Sequence, residues 1–171
     1  MRPLLVVLFM SLLTFGKASC QELVLIRDTI NHIQIGVPSG WRYAILIDQM
    51  VDFIAHRQQV DENDVLIENF NINIFPSENK SFNTSFKAYI QSIDKAKNFK
   101  ILEQGIQKIN QRKFKYLIES HENNLNGVSM INYNFFTIDK DRVIILTMVS
   151  SLDKFAKYRD LFSQIALSLR S

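Results

Sequence analysis

The architecture of this chain can be read first from residues 113–149, whose sequence is KFKYLIESHENNLNGVSMINYNFFTIDKDRVIILTMV. Apolar and polar residues alternate at its start, and the strongly β-branched run Val143–Val149 closes it. Asn126–Gly127 is a favoured two-residue hairpin turn, and Asp139–Asp141 indicates a second turn. Because strands joined by hairpins pair antiparallel, the segment predicts the antiparallel part of a sheet.

Further strands are predicted on the N-terminal side of this segment. Period-two alternation of apolar and polar residues predicts strands at 33–37 and 70–74. Short apolar segments predict two more strands, at 43–47 and 51–56.

Helical spacing of apolar residues appears twice, once in mid-chain and once near the C-terminus. The two stripes are Phe82, Phe86, Tyr89, Ile90 and Ile93, and then Phe155, Tyr158, Phe162, Ile165, Ala166 and Leu169. We expect Asn83 or Thr84 to cap the first helix and Ser150 to cap the second. The order of strands, helix, hairpin-linked strands and final helix predicts an α+β fold with a mainly antiparallel sheet.

The composition indicates a single globular domain. The chain has 171 residues, of which 47% are hydrophobic and 22% are charged, which excludes a disordered chain. The single cysteine, Cys20, excludes a disulfide scaffold and a cysteine-rich zinc site. No repeat, low-complexity stretch or linker interrupts residues 21–171, so we expect one domain there.

Residues 1–20 have the layout of a secretory signal peptide. Arg2 is followed by the apolar run Leu4–Phe15 and then by small residues. This run is shorter than the roughly 20 residues that span a bilayer, which argues against a membrane anchor. We therefore predict export to the periplasm or the extracellular space. Loss of Arg2 and Lys17 lowers the formal net charge from +3 to +1, so charge gives little support for nucleic-acid binding.

Cys20 leaves two kinds of processing open. Ala18-Ser19-Cys20 resembles the end of a bacterial lipobox with Cys20 as the lipid acceptor, but Lys17 stands where that box normally has an aliphatic residue. Alternatively, a signal peptidase cleaves after the small residues and releases a free protein. Membrane association is expected only if Cys20 is lipidated.

Two segments resemble a known protein family. Residues 33–41, IQIGVPSGW, are similar to the strand, Pro, small residue, Gly, Trp entry of PsbP-like and DcrB-like proteins. Residues 143–170, VIILTMVSSLDKFAKYRDLFSQIALSLR, are similar to the last strand and helix of that family. The resemblance covers nearly all of residues 22–170 and implies an α/β/α sandwich around an antiparallel sheet. The resemblance does not imply an enzyme, because proteins with this fold serve as accessory subunits, import factors, secretion chaperones and periplasmic proteins.

The common catalytic motifs are absent from the sequence. The glycines are too scattered for a phosphate-binding loop, and there is no G-x-S-x-G nucleophile elbow. The histidines His32, His56 and His121 form no metal-binding motif. An alternative hypothesis is a hydrolase or metal-dependent enzyme that uses Asp52, His56 and the acidic loop 61–64. That loop lacks the glycine and the final glutamate of a calcium-binding loop, which favours a solvated turn.

Charge is distributed unevenly along the chain. Residues 95–115 carry seven basic residues and one acidic residue, whereas residues 48–68 carry six acidic residues and one basic residue. The basic segment can steer an acidic protein partner or an anionic envelope surface toward the molecule. Alternatively, it is an ordinary solvated face, and the acidic and basic segments pair with each other. The candidate partner-binding residues are Lys108, Arg112, Lys113 and Lys115.

These observations predict a non-enzymatic exported envelope protein, namely a binding, accessory or chaperone-like domain. We expect it to need no cofactor and no metal ion, and the sequence does not specify its partner. Trp41, the single tryptophan of the chain, is expected to pack in the core.

Overall fold

The computed structural model describes residues 21–47, 49–62, 64–123 and 126–171. The predicted signal peptide, Cys20 and Asp48 lie outside these residues. The elements are β1 (Leu23–Asp28), β2 (Ile33–Pro38), β3 (Arg42–Ile45), β4 (Phe53–His56), β5 (Asn69–Pro76), α1 (Phe82–Ile93), β6 (Lys100–Ile109), β7 (Arg112–Glu122), β8 (Ser129–Asp139), β9 (Arg142–Ser151) and α2 (Phe155–Ser168).

Seven of the described strands form one antiparallel sheet in the order β3-β4-β5-β9-β8-β7-β6, and β1 pairs with β2 in a separate hairpin. The segment 113–149 supplies most of β7, β8 and β9. Its second turn places Asp139 opposite Arg142. Its first connection places Glu122 opposite Ser129 and is six residues long, so the two-residue turn predicted at Asn126–Gly127 was wrong. The predicted α+β class and the mainly antiparallel pairing are therefore confirmed.

The two helices pack on opposite faces of the seven-stranded sheet. Neighbouring residues of one strand show this, since successive side chains of a strand point to opposite faces. Phe135 of β8 belongs to the larger core together with Phe162 of α2 and the inner residues of β2. Its neighbour Phe136 packs against Phe86 of α1, with 5.5 Å between the ring centroids. The chain thus forms the α/β/α sandwich that the family resemblance implied. No helix of the described ranges combines the length and the hydropathy that spanning a bilayer requires.

The cap of the first helix lies two residues before Asn83, the earlier of its two predicted caps. Ser81 is the N-cap of α1, and its hydroxyl oxygen accepts a hydrogen bond from the backbone N–H of Thr84 at 3.2 Å. Asn83 and Thr84 therefore lie inside the first turn. The prediction was wrong because three neighbouring polar residues all suit a cap, and the backbone path selects among them.

The second helix begins later than expected. Ser150 does not cap it, because Ser150 still belongs to β9 and pairs with Ile131 of β8. Helix α2 starts at Phe155 and has no side-chain cap at its N-terminus. Pairing with β8 keeps the chain extended for longer than the local sequence suggests.

Trp41 follows the β1–β2 hairpin and packs in the larger core, as predicted. Its ring centroid is 6.3 Å from that of Phe70 on β5, and only 9% of the residue is exposed. The side chain therefore fixes the end of the hairpin against the sheet.

Candidate functional site

Lys108 and Lys113 lie directly opposite each other across the β6–β7 strand pair. Both side chains are exposed, and neither forms an ion pair with any residue in the described ranges. Like charges that face each other across antiparallel strands are destabilising. The fold therefore gains nothing from this pair of lysines, which we call the basic edge.

Lys115 lies on the same face of β7, but its charge is not free. Its ammonium group is 4.6 Å from the ring centroid of Phe86 and 5.4 Å from that of Phe82. A cation over an aromatic face is attracted by the ring electrons. Lys115 therefore joins the sheet to α1 and is half-buried.

Arg112 lies on the other face of β7, next to the core residue Phe114. Its guanidinium forms an ion pair with Asp139 at 3.1 Å and donates a hydrogen bond to the carbonyl oxygen of Ser171 at 3.3 Å. The four candidate residues are thus divided by the pleat of the strand. Of these four residues, only Lys108 and Lys113, the basic edge, are exposed and without an ion pair in the described part of the chain.

The acidic segment lies at the opposite end of the sheet. Strand β4 is part of residues 48–68 and is four strand spacings from β7, roughly 19 Å at about 4.8 Å per spacing. Among the residues whose structure is described, no ion pair joins residues 48–68 to residues 95–115. The hypothesis that the two segments neutralise each other is therefore wrong, because the strand order separates them.

The acidic residues Asp64 and Glu68 belong instead to a buried ion cluster with Arg57 and Lys154. Arg57 Nε is 2.6 Å from Glu68 Oε2, and a terminal nitrogen of Arg57 is 2.7 Å from Asp64 Oδ2. Lys154 Nζ is 2.9 Å from Asp64 Oδ1. Hydrogen bonds from Lys154 and Arg57 lower the pKa of Asp64 to about 2. The loop 61–64 is therefore more than a solvated turn, since its last carboxylate is tied to α2.

The residues of the enzyme hypothesis do not converge on one another. The carboxylate of Asp52 accepts a hydrogen bond from the backbone N–H of Ile74 at 2.7 Å, while His56 Nδ1 is 2.9 Å from the carbonyl oxygen of Arg57. Four residues of extended chain separate Asp52 from His56 by about 13 Å. In the described ranges, no three His, Cys, Asp or Glu side chains are grouped closely enough to hold a metal ion.

The architecture matches several solved structures. Cyanobacterial PsbP from Synechocystis is 14% identical, with 91% of this chain and 95% of that chain covered and a TM-score of 0.63. LpqN, which is involved in cell envelope biogenesis of Mycobacterium tuberculosis, is 12% identical over 85% of this chain and 88% of that chain, with a TM-score of 0.62. The Saccharomyces cerevisiae Ran-binding protein Mog1p is 10% identical, with 88% of this chain and 95% of that chain covered and a TM-score of 0.59. The chain has the PsbP-like fold.

This result confirms the fold implied by the resemblance of residues 33–41 and 143–170. No family model and no curated protein matches the sequence itself. At these low identities the likeness concerns the PsbP-like fold alone.

A cleft of about 780 Å³ opens in this PsbP-like sandwich where the turn after β2 meets α2. Trp41, Tyr158 and Leu161 supply its apolar wall. Two of the polar groups at its rim are bonded within the protein: Gln58 Nε2 donates to the carbonyl oxygen of Gly40 at 3.2 Å, and Arg57 belongs to the ion cluster.

A buried carboxylate on the α1 side of the sheet escaped the sequence analysis. Glu119 is 1% exposed, and its Oε2 is 2.8 Å from Nδ1 of His121. Burial raises the pKa of the Glu119 carboxyl group. In the sequence, Glu119 continues the alternation of Lys113 and Lys115 and therefore looks like a surface residue. Glu119 is buried because other parts of the folded chain cover this face of β7.

Tyr89 of α1 extends the buried polar groups on this face. Its hydroxyl donates a hydrogen bond to Asn134 Oδ1 at 2.8 Å, and the hydroxyl of Thr147 donates to the same oxygen at 2.9 Å. Burial raises the pKa of Tyr89 far above its usual range. These bonds tie α1 to β8 and β9, which is the role expected of paired polar groups in an interior.

Proposed function

We propose that this chain is a non-enzymatic binding domain of the bacterial envelope, exported by its leader, that engages a protein partner through the basic edge. The partner presents acidic side chains to Lys108 and Lys113. Neither a cofactor nor a metal ion takes part in this role.

The observation that carries the proposal is the direct opposition of two unpaired lysines on β6 and β7. Their repulsion disfavours the free protein locally, and an acidic partner turns that repulsion into attraction. Exposed charges of this kind act mainly by steering the encounter of two proteins. The acidic residues around β4, at the other end of the sheet, repel the same partner and so orient its approach.

Proteins that share the fold support a binding role. Mog1p is a Ran-binding protein, and LpqN is involved in cell envelope biogenesis. Because a fold does not fix a function, these two proteins support only the class of role. The basic edge supplies the surface on which the proposal depends.

The test reverses the charge of the basic edge in the double variant Lys108→Glu, Lys113→Glu. The matched control is Arg27→Glu, Arg42→Glu, which changes the net charge equally at exposed positions of β1 and β3. We expect wild type and control to capture the same envelope protein from a native extract, identified by mass spectrometry. The basic-edge variant should lose it.

The purified partner then allows the kinetics to be measured. We expect the loss mainly in the association rate, and it should shrink as salt rises beyond 0.1 M, where the Debye length is about 10 Å. Thermal melts should show that both double variants are folded. Equal capture by wild type and the basic-edge variant at low salt contradicts the proposal.

Export is tested by N-terminal sequencing of the protein recovered outside the cytoplasm. The sequence should begin between Ser19 and Gln21, or the N-terminus should be blocked if Cys20 carries lipid. Recovery of intact Met1 in a soluble cytoplasmic fraction contradicts export.

A further inference from the structure

Strand β6 is an open edge of the seven-stranded sheet. It is ten residues long and pairs with β7 on one side, and no other described strand pairs with it. An edge strand presents a row of backbone N–H and C=O groups that a further strand can bond. The opposite edge, β3, is only four residues long. A short edge strand leaves few free backbone groups for another strand to pair with. Strand β3 is protected in this way, and β6 is not.

The α1 side of β6 combines exposed apolar and basic side chains. Ile101, Ile106 and Lys108 lie on this side, because they are opposite Glu119, Lys115 and Lys113 of β7. Ile101 is 43% exposed and Ile106 is 56% exposed. The strand thus offers apolar contacts followed by Lys108, which lies beside Lys113 of β7.

The other side of β6 is already occupied. Tyr116 lies across Gly105, where an added Cβ would come within 2.7 Å of the tyrosine ring. The Tyr116 hydroxyl donates a hydrogen bond to Glu103 at 2.9 Å, and Arg159 of α2 forms an ion pair with the same carboxylate at 2.7 Å. These contacts hold β6 against α2 beyond the register shift between Ile101 and Glu103, and they leave the α1 side of the strand for a partner.

We infer that β6 accepts an extended segment of a protein partner as an additional strand, with an acidic side chain opposite Lys108, whose charge Lys113 of β7 reinforces on the same face, and apolar side chains opposite Ile101 and Ile106. This inference rests on the proposed function and gives its partner a chemistry and a binding mode. Main-chain hydrogen bonds supply affinity, and alternate side chains supply specificity. A second copy of β6 is a poorer occupant, because it would add lysines to a surface that already lacks acids.

The probe is a blocked ten-residue alternating peptide: threonine stands at every second position, and the positions between, which share one face of a strand, are valine in one half and glutamate in the other. Its control carries the same charge but has prolines at two central positions, and proline cannot donate a ladder hydrogen bond. We expect only the first peptide to bind. On binding, alternate backbone amides of β6 should become protected from hydrogen exchange, because one edge of the strand gains bonds.

Two variants separate strand addition from simple charge attraction. Ile106→Lys adds a positive charge but removes an apolar contact, so affinity for the alternating peptide should fall about tenfold or more. Val60→Lys is the matched control at an exposed apolar residue in a loop, and it should bind as wild type does. Ile106→Ala removes the same contact without adding charge and should also weaken binding.

The outcomes distinguish this inference from the proposed function. If the Ile106→Lys variant binds the peptide as tightly as wild type, or if β6 amides gain no protection, strand addition is overturned while charge steering by the basic edge stands. If Lys108→Glu, Lys113→Glu still binds the alternating peptide like wild type, the role of the basic edge fails as well. Dimerisation of the free protein through β6 would also overturn the choice of an acidic partner.

Discussion

The ammonium group of Lys115 lies 4.6 Å from the centroid of the Phe86 ring, and this contact joins β7 to α1. Phe86 in turn packs edge-on against Phe136 of β8. A lysine that appears in the sequence as one member of a basic run is thus part of the packing between helix and sheet. The neighbouring Lys113 remains exposed. This difference leads to specific expectations for stability.

Truncation of either helix's central phenylalanine should strongly destabilise the protein. Phe162 is fully buried and Phe86 is 7% exposed, and each belongs to one of the two cores. We expect Phe86→Ala and Phe162→Ala each to lower the free energy of unfolding by about 3–5 kcal/mol, from lost transfer energy and an unfilled cavity. Chemical denaturation measures this. A loss as small as that of a surface substitution would show that the helix does not pack as described.

The two lysines of β7 should respond differently to truncation. Lys115→Ala should lower the free energy of unfolding by about 1 kcal/mol, since it removes the cation over two rings. Lys113→Ala should change it by less than about 0.5 kcal/mol, toward higher stability, because it relieves the repulsion from Lys108. Parallel urea titrations of the two variants make the comparison. Equal losses would contradict the contact between Lys115 and Phe86.

Removal of one charge from the buried ion cluster should be costly. Glu68 has no exposed side-chain surface and lies 2.6 Å from Arg57. Glu68→Gln keeps the side-chain volume but removes the buried one of the two carboxylates that pair with Arg57, and should cost about 3 kcal/mol. The control is Glu78→Gln, which breaks an exposed ion pair with Lys80 and should have no measurable effect. If thermal melts rank the two variants the other way, the cluster does not stabilise the fold.

The ion cluster should also give the protein an acid-dependent stability. The pKa of Asp64 is lowered from 3.8 to about 2 in the folded protein. A lowered folded-state pKa means that the stabilisation is present above the unfolded pKa and is lost as the pH falls toward the folded pKa. The free energy of unfolding should therefore drop between about pH 4 and pH 2.

The variant Asp64→Asn isolates this contribution, because the amide does not titrate. Its stability should depend less on pH in that range than the stability of wild type. Asp94→Asn, at an exposed position after α1, is the control and should follow wild type. Identical acid unfolding curves for wild type and Asp64→Asn would remove Asp64 from the explanation.

Much of the fold follows from local patterns in the sequence. The alternation and turn residues of 113–149 predicted the hairpins that form β7, β8 and β9, although not the length of the first connection, because a hairpin depends on neighbouring residues. Helical spacing likewise predicted that Phe86 and Phe162 face the sheet, since one helical face is set by residues three and four apart. The candidate cations Lys108 and Lys113 were also found from sequence, because charge is a property of each residue.

The order of strands was decided only in the tertiary structure. Asn69 of β5 pairs with Val149 of β9, a residue 80 positions later, and no local pattern specifies so distant a partner. This pairing places β4 and the acidic segment at one end of the sheet and β7 at the other. The separation of charge on the molecule is thus a consequence of long-range packing.

Burial of the polar residues was decided in the same way. By sequence, Lys113, Lys115 and Glu119 are equivalent polar positions on one face of a strand, and composition determined only that they are polar. Helix α1 covers part of that face, so Lys115 lies over aromatic rings and Glu119 is buried, while Lys113 stays in solvent. The physical reason is that a strand's pattern fixes which side chains share a face, whereas the environment of each depends on which distant segment packs there.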